Sequence, residues 1–257
     1  MGSVLITGGS EGIGFELARL FAKDGYRPVL CARSEEKLKR AQQIIENESG
    51  ILCRTISADL SREDSAAELY AQLEGEDITH AVLCAGSGIL SESWNVSAAE
   101  EKDTLILNVY SCVELAKHFM RRMKENGGGT IVFIASTGAF QSGPYVASYY
   151  ASKAYIQSYA GAVQREAEPY GIHVSCVCPG PVRTGFYEKI RSSAPWYAMD
   201  AARCAAYIYA HLDRHMIVPG LMNRMLRAVP ASLKADMLAR MKGKSLKKKQ
   251  DDLLGKQ

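Results

Sequence analysis

Hydrophobic positions along this chain fall into short apolar runs separated by longer amphipathic stretches. The first run, Ser3–Thr7, is β-branched and closed by glycine, and it reads as a buried strand. Similar runs recur at 28–32, 51–57, 79–84, 130–135, 172–177 and 215–218. A helical pattern through Phe15, Leu17, Ala18, Leu20 and Phe21 follows the first strand. Further helical stretches are predicted near 34–48, 62–74, 98–124, 149–168 and 200–212. Apolar strands alternating with helices predict an α/β, doubly wound parallel sheet of about seven strands, covered on both faces. Past 220 the pattern changes. Residues 221–229 and 233–241 interleave apolar and basic positions, and 242–249 is strongly basic. One domain over 1–220 and a helical C-terminal extension over 221–257, with a loose basic end, are expected.

Composition narrows this picture. The chain has 257 residues, a length at which α/β folds are often one unit with a large core. A net charge of +3 is too small to suggest nucleic acid as a partner. No apolar run approaches the roughly 20 residues needed to span a bilayer. The first strand begins almost at once, so no signal peptide is expected. The seven cysteines include no Cys-x-x-Cys, so reduced structural thiols and a cytoplasmic location are expected. Cys176-Val177-Cys178 is expected to direct its two thiols to opposite sheet faces, and no metal site is expected.

Chemistry enters at two places. Gly8-Gly9-Ser10-Glu11-Gly12-Ile13-Gly14 lies between the first strand and the first helix. A bare backbone turn at a helix N-terminus cradles a phosphate, because free N–H groups and the helix dipole favour an anion. Further along, Tyr149 and Lys153 stand four residues apart on a predicted helix, with Ser136 thirteen residues before the tyrosine. That spacing sets an ammonium beside a phenol. A phenol ordinarily has a pKa of about 10, and a nearby cation lowers it toward the range of a working acid or base. Tyr145 and Tyr150 have no lysine four residues later, and read as pocket or packing residues.

Together these stretches resemble the short-chain dehydrogenase/reductase family. Thr7-Gly8-x-x-x-Gly12-Ile13-Gly14 is similar to its cofactor loop, and Tyr149-x-x-x-Lys153 to its catalytic pair. Ser136 and Asn108 fall where the family's other two active-site residues lie. Asp59-Leu60 resembles the pair that contacts adenine. Pro179-Gly180-Pro181-Val182-Arg183-Thr184 resembles the turn beside the nicotinamide. The matches run in order from residue 3 to about residue 220.

The resemblance implies a Rossmann-like fold and a nicotinamide dinucleotide. It implies cofactor contacts from Thr7, Gly8, Ser10, Gly12, Ile13 and Gly14, then Asp59, Leu60, Ala85 and Gly86, and later Pro179, Gly180, Val182 and Thr184. It also implies roles: Tyr149 as acid/base, Ser136 on the substrate oxygen, Lys153 on the tyrosine and the ribose, and Asn108 in a water path to solvent. The chain departs from the pattern at three points. Cys84 replaces the usual Asn before Ala85-Gly86, Glu11 is acidic, and the chain continues well past the last strand.

The second strand ends Leu30-Cys31-Ala32-Arg33-Ser34, with a guanidinium and no carboxylate. A carboxylate there would hold a ribose hydroxyl, whereas Arg33 offers two donors to a 2′-phosphate, with Ser34 beside it. NADP (NADPH) is therefore expected over NAD, although Glu11 would repel that phosphate if it pointed inward.

Residues 185–199 are expected to form a flap. It contains Phe186, Tyr187, Ile190, Pro195, Trp196, Tyr197 and Met199, which suit a small apolar ketone or alcohol. No charged cluster calls for a phosphate or carboxylate on the substrate. The family resemblance implies a homodimer or homotetramer. For the tail, a lid with added helices is the favoured reading, and contact with an anionic membrane surface the alternative. An NADP-dependent carbonyl reductase or alcohol dehydrogenase is thus expected. The alternatives are a non-catalytic NADP-binding sensor or scaffold and a 3-oxoacyl reductase.

Overall fold

The computed structural model describes residues 2–190, 192–226 and 229–254; Arg227 and Ala228 of the tail, and residues 255–257, lie outside the described residues. The main sheet contains β1 (Ser3–Thr7), β2 (Arg27–Ala32), β3 (Arg54–Ser57), β4 (Ile78–Leu83), β5 (Gly129–Ile134), β6 (Ile172–Val177) and β9 (Met216–Ile217). Its order is β3-β2-β1-β4-β5-β6-β9, and every pairing is parallel. The Rossmann-like, doubly wound arrangement is therefore present. Two short strands, β7 (Val182–Arg183) and β8 (Met199–Asp200), pair separately and close the base of the flap.

Side chains alternate along each strand, which divides the core in two. Leu5, Val29, Cys31, Ala81, Ile131 and Phe133 face one side. There they meet Leu115 and Phe119 of α5 (Ser111–Glu125) and Ile156 and Ala160 of α6 (Ala147–Ala167). Val4, Ile6, Leu30, Val82, Val132 and Ile134 face the other. They pack on α1 (Gly12–Lys23), α2 (Glu35–Ser49) and α8 (Ala201–Tyr209). Phe21 and Phe119 are fully buried, and each contributes about 1.5–3 kcal/mol of transfer free energy. The helices α3 (Ser65–Ala71), α4 (Ala98–Leu105) and α7 (Phe186–Lys189) complete the body. The tail holds α9 (Leu221–Leu226) and α10 (Ala231–Leu254).

Several expectations change. The 51–57 strand begins only at Arg54, because Gly50 turns the chain through φ 70° and Glu46 on α2 accepts from the Cys53 N–H. The 98–124 helix is interrupted by a π turn at Ile106–Tyr110, between α4 and α5. A capping box starts α4, with Ser97 and Glu100 satisfying each other's backbone N–H groups. In the tail, α10 continues as helix to Leu254 instead of stopping near Met241, since past Gly243 the segment holds no helix breaker. The expectation for Cys176 and Cys178 was wrong. Positions two apart on a strand share a face, and the two Sγ atoms lie 4.0 Å apart.

Candidate active site

The strand order reverses at β1, whose neighbours are β2 on one side and β4 on the other. In open parallel sheets the crevice at such a switch point, beyond the carboxyl ends of the strands, is where ligands lie. A cleft of about 410 Å³ occupies that place.

The glycine-rich loop forms one wall. Gly8, Ser10, Gly12 and Ile13 line the cleft. Gly12 has a φ of 61° and a side chain there would sit 2.9 Å from Thr184, so only glycine fits. A Cβ on Gly14 would lie 2.5 Å from the Gly8 carbonyl oxygen, so its bare backbone lets α1 close against the loop. Gly14 thus shapes the cradle without lining it. Thr7 is also placed behind the cleft. Its Oγ1 accepts from the N–H groups of Cys84 and Ala85 at 3.0 and 3.1 Å, tying β1 to the end of β4.

Charge gathers at the end of β2. Arg33, Ser34 and Lys37 line the cleft together. The Ser34 hydroxyl caps α2 by accepting from the Lys37 N–H at 3.3 Å. Asp59 does not line the cleft. It accepts from the Ser61 N–H and hydroxyl at 3.1 and 2.8 Å, and its other oxygen stands 3.9 Å from Arg33. Leu60 does line it. Lys37 escaped the sequence reading, although its place in the first turn of the helix after Arg33 was available as a signal.

Lys37 also resolves the position of Glu11. Its Nζ is 2.7 Å from one Glu11 oxygen, and Lys189 of α7 is 2.6 Å from the other. The carboxylate is neutralised between two lysines and does not stand bare toward a phosphate. Burial raises the Glu11 pKa, but hydrogen bonds and charge from Lys189 and Lys37 outweigh it, and the net direction is down.

Across the cleft stand Ser136, Tyr149 and Lys153. Ser136 follows β5 and caps a short 3₁₀ turn, accepting from the Gly138 N–H at 3.0 Å. Tyr149 and Lys153 share one face of α6, with the ammonium 5.8 Å from the ring centroid. Lys153 is 5% exposed, and its Nζ donates to the Ile134 carbonyl at 2.7 Å. Burial lowers its pKa. The expected acidification of Tyr149 is overturned. Burial dominates and pushes the phenol up to about 12; Ser136 hydrogen bonding opposes this.

Asn108 lies in the π turn and is 1% exposed. Its Oδ1 accepts from the Ser87 N–H at 2.9 Å. Its Nδ2 donates to the Ser87 carbonyl at 2.8 Å and to Ser152 Oγ at 3.0 Å. It therefore clamps the Ala85-Gly86-Ser87 turn to α6 instead of lining the cleft. π turns recur at functional sites because the extra residue re-aims a side chain. Ala85, Gly86, Pro179, Gly180, Val182 and Thr184 all line the cleft.

The flap divides. Phe186, Tyr187 and Ile190 line the cleft, while Trp196 is 92% exposed and Met199 packs in the main core. Tyr145 has a φ of 64°, rare for a bulky residue, and its carbonyl accepts from the Ser91 N–H at 2.9 Å. From the tail, Lys242 reaches the cleft.

The short chain dehydrogenase family model matches residues 3–195. Dehydrogenase/reductase SDR family member 7B from Danio rerio is 30% identical over 190 residues, covering 70% of this chain and 61% of that protein. A very-long-chain 3-oxoacyl-CoA reductase from Phaeosphaeria nodorum is 31% identical over 196 residues, covering 73% and 56%. The match thus spans about three-fifths of the length of these curated relatives. A short-chain dehydrogenase from Sphingobium yanoikuyae, solved in complex with NADPH, is 27% identical, covers 94% of both chains and has a TM-score of 0.82. The chain belongs to the short-chain dehydrogenase/reductase family.

Proposed function

We propose that this chain is an NADP-dependent oxidoreductase that interconverts a ketone and a secondary alcohol, with Tyr149 as the acid/base. One observation carries the reading. Tyr149, Lys153 and Ser136 face the same cleft as the glycine-rich loop and the Arg33–Lys37 cations.

The residues suit the dinucleotide. Gly8, Ser10, Gly12 and Ile13 would hold the pyrophosphate at the start of α1. Arg33, Ser34 and Lys37 would hold a 2′-phosphate, which favours NADP over NAD. The NADPH in the Sphingobium yanoikuyae protein supports this choice. Leu60 would flank the adenine, with Asp59 holding its turn. Thr184 and the 179–182 turn would border the nicotinamide, which when bound gives or accepts the hydride. Tyr149 holds the proton that passes to the substrate oxygen in reduction, and takes one from the alcohol in oxidation. Ser136 hydrogen-bonds the same oxygen. Lys153 fixes the tyrosine's surroundings and would reach the ribose. Asn108 holds the turn beside Lys153, and a proton path to solvent past it is part of this reading.

Phe186, Tyr187, Ile190 and Val146 make the substrate wall apolar or aromatic. Exposed Leu105, Tyr110 and Tyr155 on α4, the π turn and α6 support assembly as a homodimer or homotetramer. No helix among the described residues is long and apolar enough to cross a membrane. None of the seven cysteines is joined in a disulfide, which suits a reducing, cytoplasmic location. A second reading, reduction of a 3-oxoacyl thioester, is favoured by the Phaeosphaeria nodorum relative.

The test is Tyr149→Phe assayed against a ketone panel by NADPH absorbance. Turnover is expected to vanish while NADPH binding persists, because only the proton donor is removed. Near-normal turnover would refute the assignment.

A further inference from the structure

Five cations and one carboxylate border the cleft. Four of the cations have work already. Arg33 and Lys37 face Asp59 and Glu11 at the end of β2, Lys189 takes the other Glu11 oxygen, and Lys153 donates to the Ile134 carbonyl. The fifth, Lys242, has no acidic partner among the described residues.

Lys242 is held in place by its helix. Eight residues earlier, Lys234 is 6% exposed and its Nζ donates to the Phe140 carbonyl at 3.4 Å. The next residue, Gly243, lies against the Tyr145 ring, where a side chain would come within 3.5 Å. One turn later, Leu246 is 8% exposed and packs with Leu90, Val146 and Ile190. Lys242 and Leu246 therefore share the face of α10 that covers the cleft. Burial lowers the Lys242 pKa.

A continuous aromatic wall joins this lysine to the catalytic tyrosine. The Tyr149 and Phe186 rings are 5.1 Å apart, those of Phe186 and Tyr187 are 5.8 Å apart, and the Lys242 ammonium is 5.9 Å from the Tyr187 ring. A partly desolvated cation without an anion is costly, and an arriving anion offsets that cost. A substrate with its carbonyl at Tyr149 and an apolar body along this wall places its far end at the lysine.

We propose that Lys242 is a specificity-determining residue that binds an anionic group at the end of the substrate remote from the reacting carbonyl. The inference rests on the oxidoreductase reading of the cleft. The anion has two chemical sources, the carboxylate of an oxo acid or the phosphate of a phosphopantetheine thioester.

Three measurements on the full chain with NADPH test it. In the first, straight-chain oxo acids of graded length are compared with their methyl esters. In the second, a 3-oxoacyl-CoA is compared with the matching N-acetylcysteamine thioester, which lacks phosphate. In the third, decanoate and 1-decanol are titrated calorimetrically into the NADPH complex of the wild type, Lys242→Met and Lys242→Arg. Methionine keeps the length of the stem and removes the charge. At least one pair is expected to show a preference for the anion of roughly tenfold or more in kcat/KM. That preference is expected to collapse toward unity in Lys242→Met and to return in Lys242→Arg. An acid-over-ester preference assigns a carboxylate, and a preference confined to the CoA thioester assigns a phosphate. If no pair shows a preference, or if one persists in Lys242→Met, the proposal is overturned. Should no carbonyl compound turn over, the oxidoreductase reading fails, and selective decanoate binding that Lys242→Met abolishes still decides whether the lysine holds an anion.

Discussion

A phenol surrounded by Phe186, Tyr150 and the Ser136 hydroxyl keeps its proton well past neutrality, and burial pushes Tyr149 up to about 12. In the proposed reaction this is the proton that would pass to a carbonyl oxygen. Lys153 has the i, i+4 spacing expected of an activating partner, but burial penalises its own charge and it spends a hydrogen bond on Ile134. Spacing along a helix was legible in the sequence; the depth of the groove in which the pair lies was not. The same distinction holds for the cations. Arg33 could be picked out because a strand end without a carboxylate is visible in the sequence, whereas Lys37 and Lys189 acquire meaning only when Glu11 is seen between them. Arg33 is 60% exposed at its side chain and its contact with Asp59 is long, so the guanidinium is free to turn toward a phosphate. Arg33→Ala is therefore expected to raise the NADPH dissociation constant about tenfold or more, with little effect on NADH. Fluorescence titration with both dinucleotides checks this. Equal losses for the two would move the 2′-phosphate site elsewhere.

At the scale of elements, Glu11 joins three pieces that are distant in sequence: the loop after β1, α2 through Lys37 and α7 through Lys189. Its pKa is lower in the folded chain than the ordinary value of 4.5. A depressed carboxyl pKa contributes stability that is present in full above the unfolded value and is lost as pH falls through the folded one. The wild type is thus expected to melt above Glu11→Gln at neutral pH, and the gap is expected to close as the pH drops below about 4.5. Calorimetric melting of both proteins across that range measures it; a gap that widens with acid would show that the lysines do not hold the carboxylate. The elements themselves were mostly legible, because apolar runs alternating with helical spacing leave few choices of sheet. The π turn was not. The apolar spacing of 98–124 continues across it, and Asn108 finds its partners in Ser87 and Ser152, 21 and 44 residues away. The same limit applies to Thr7, Gly14 and Asp59. Each was expected to touch the cofactor, but each stands behind the cleft and holds its wall.

Over the whole molecule, the tail is the part whose role depends most on long-range contact. Among the described residues, the two main core clusters contain none beyond Val218. α10 joins the body through a smaller cluster, where Leu246 meets Leu90, Val146 and Ile190 against Tyr149 and Phe186. These partners also border the cleft or its flap, so seating the helix and shaping the substrate side are one event. A leucine buried there contributes about 1.5–3 kcal/mol, and an aspartate in its place loses that and adds the cost of a buried charge. Leu246→Asp is therefore expected to release α10 while the main body stays folded. Its melting temperature should stay within about two degrees of the wild type, since local and global opening have separate free energies. Trypsin should cut the freed helix faster. KM for the ketone should rise several-fold, while the NADPH dissociation constant changes much less, because Arg33, Lys37 and the glycine loop are not in the cluster that seats α10. Unchanged proteolysis together with an unchanged KM would mean that the extension merely decorates the surface, and the lid reading would fail with it.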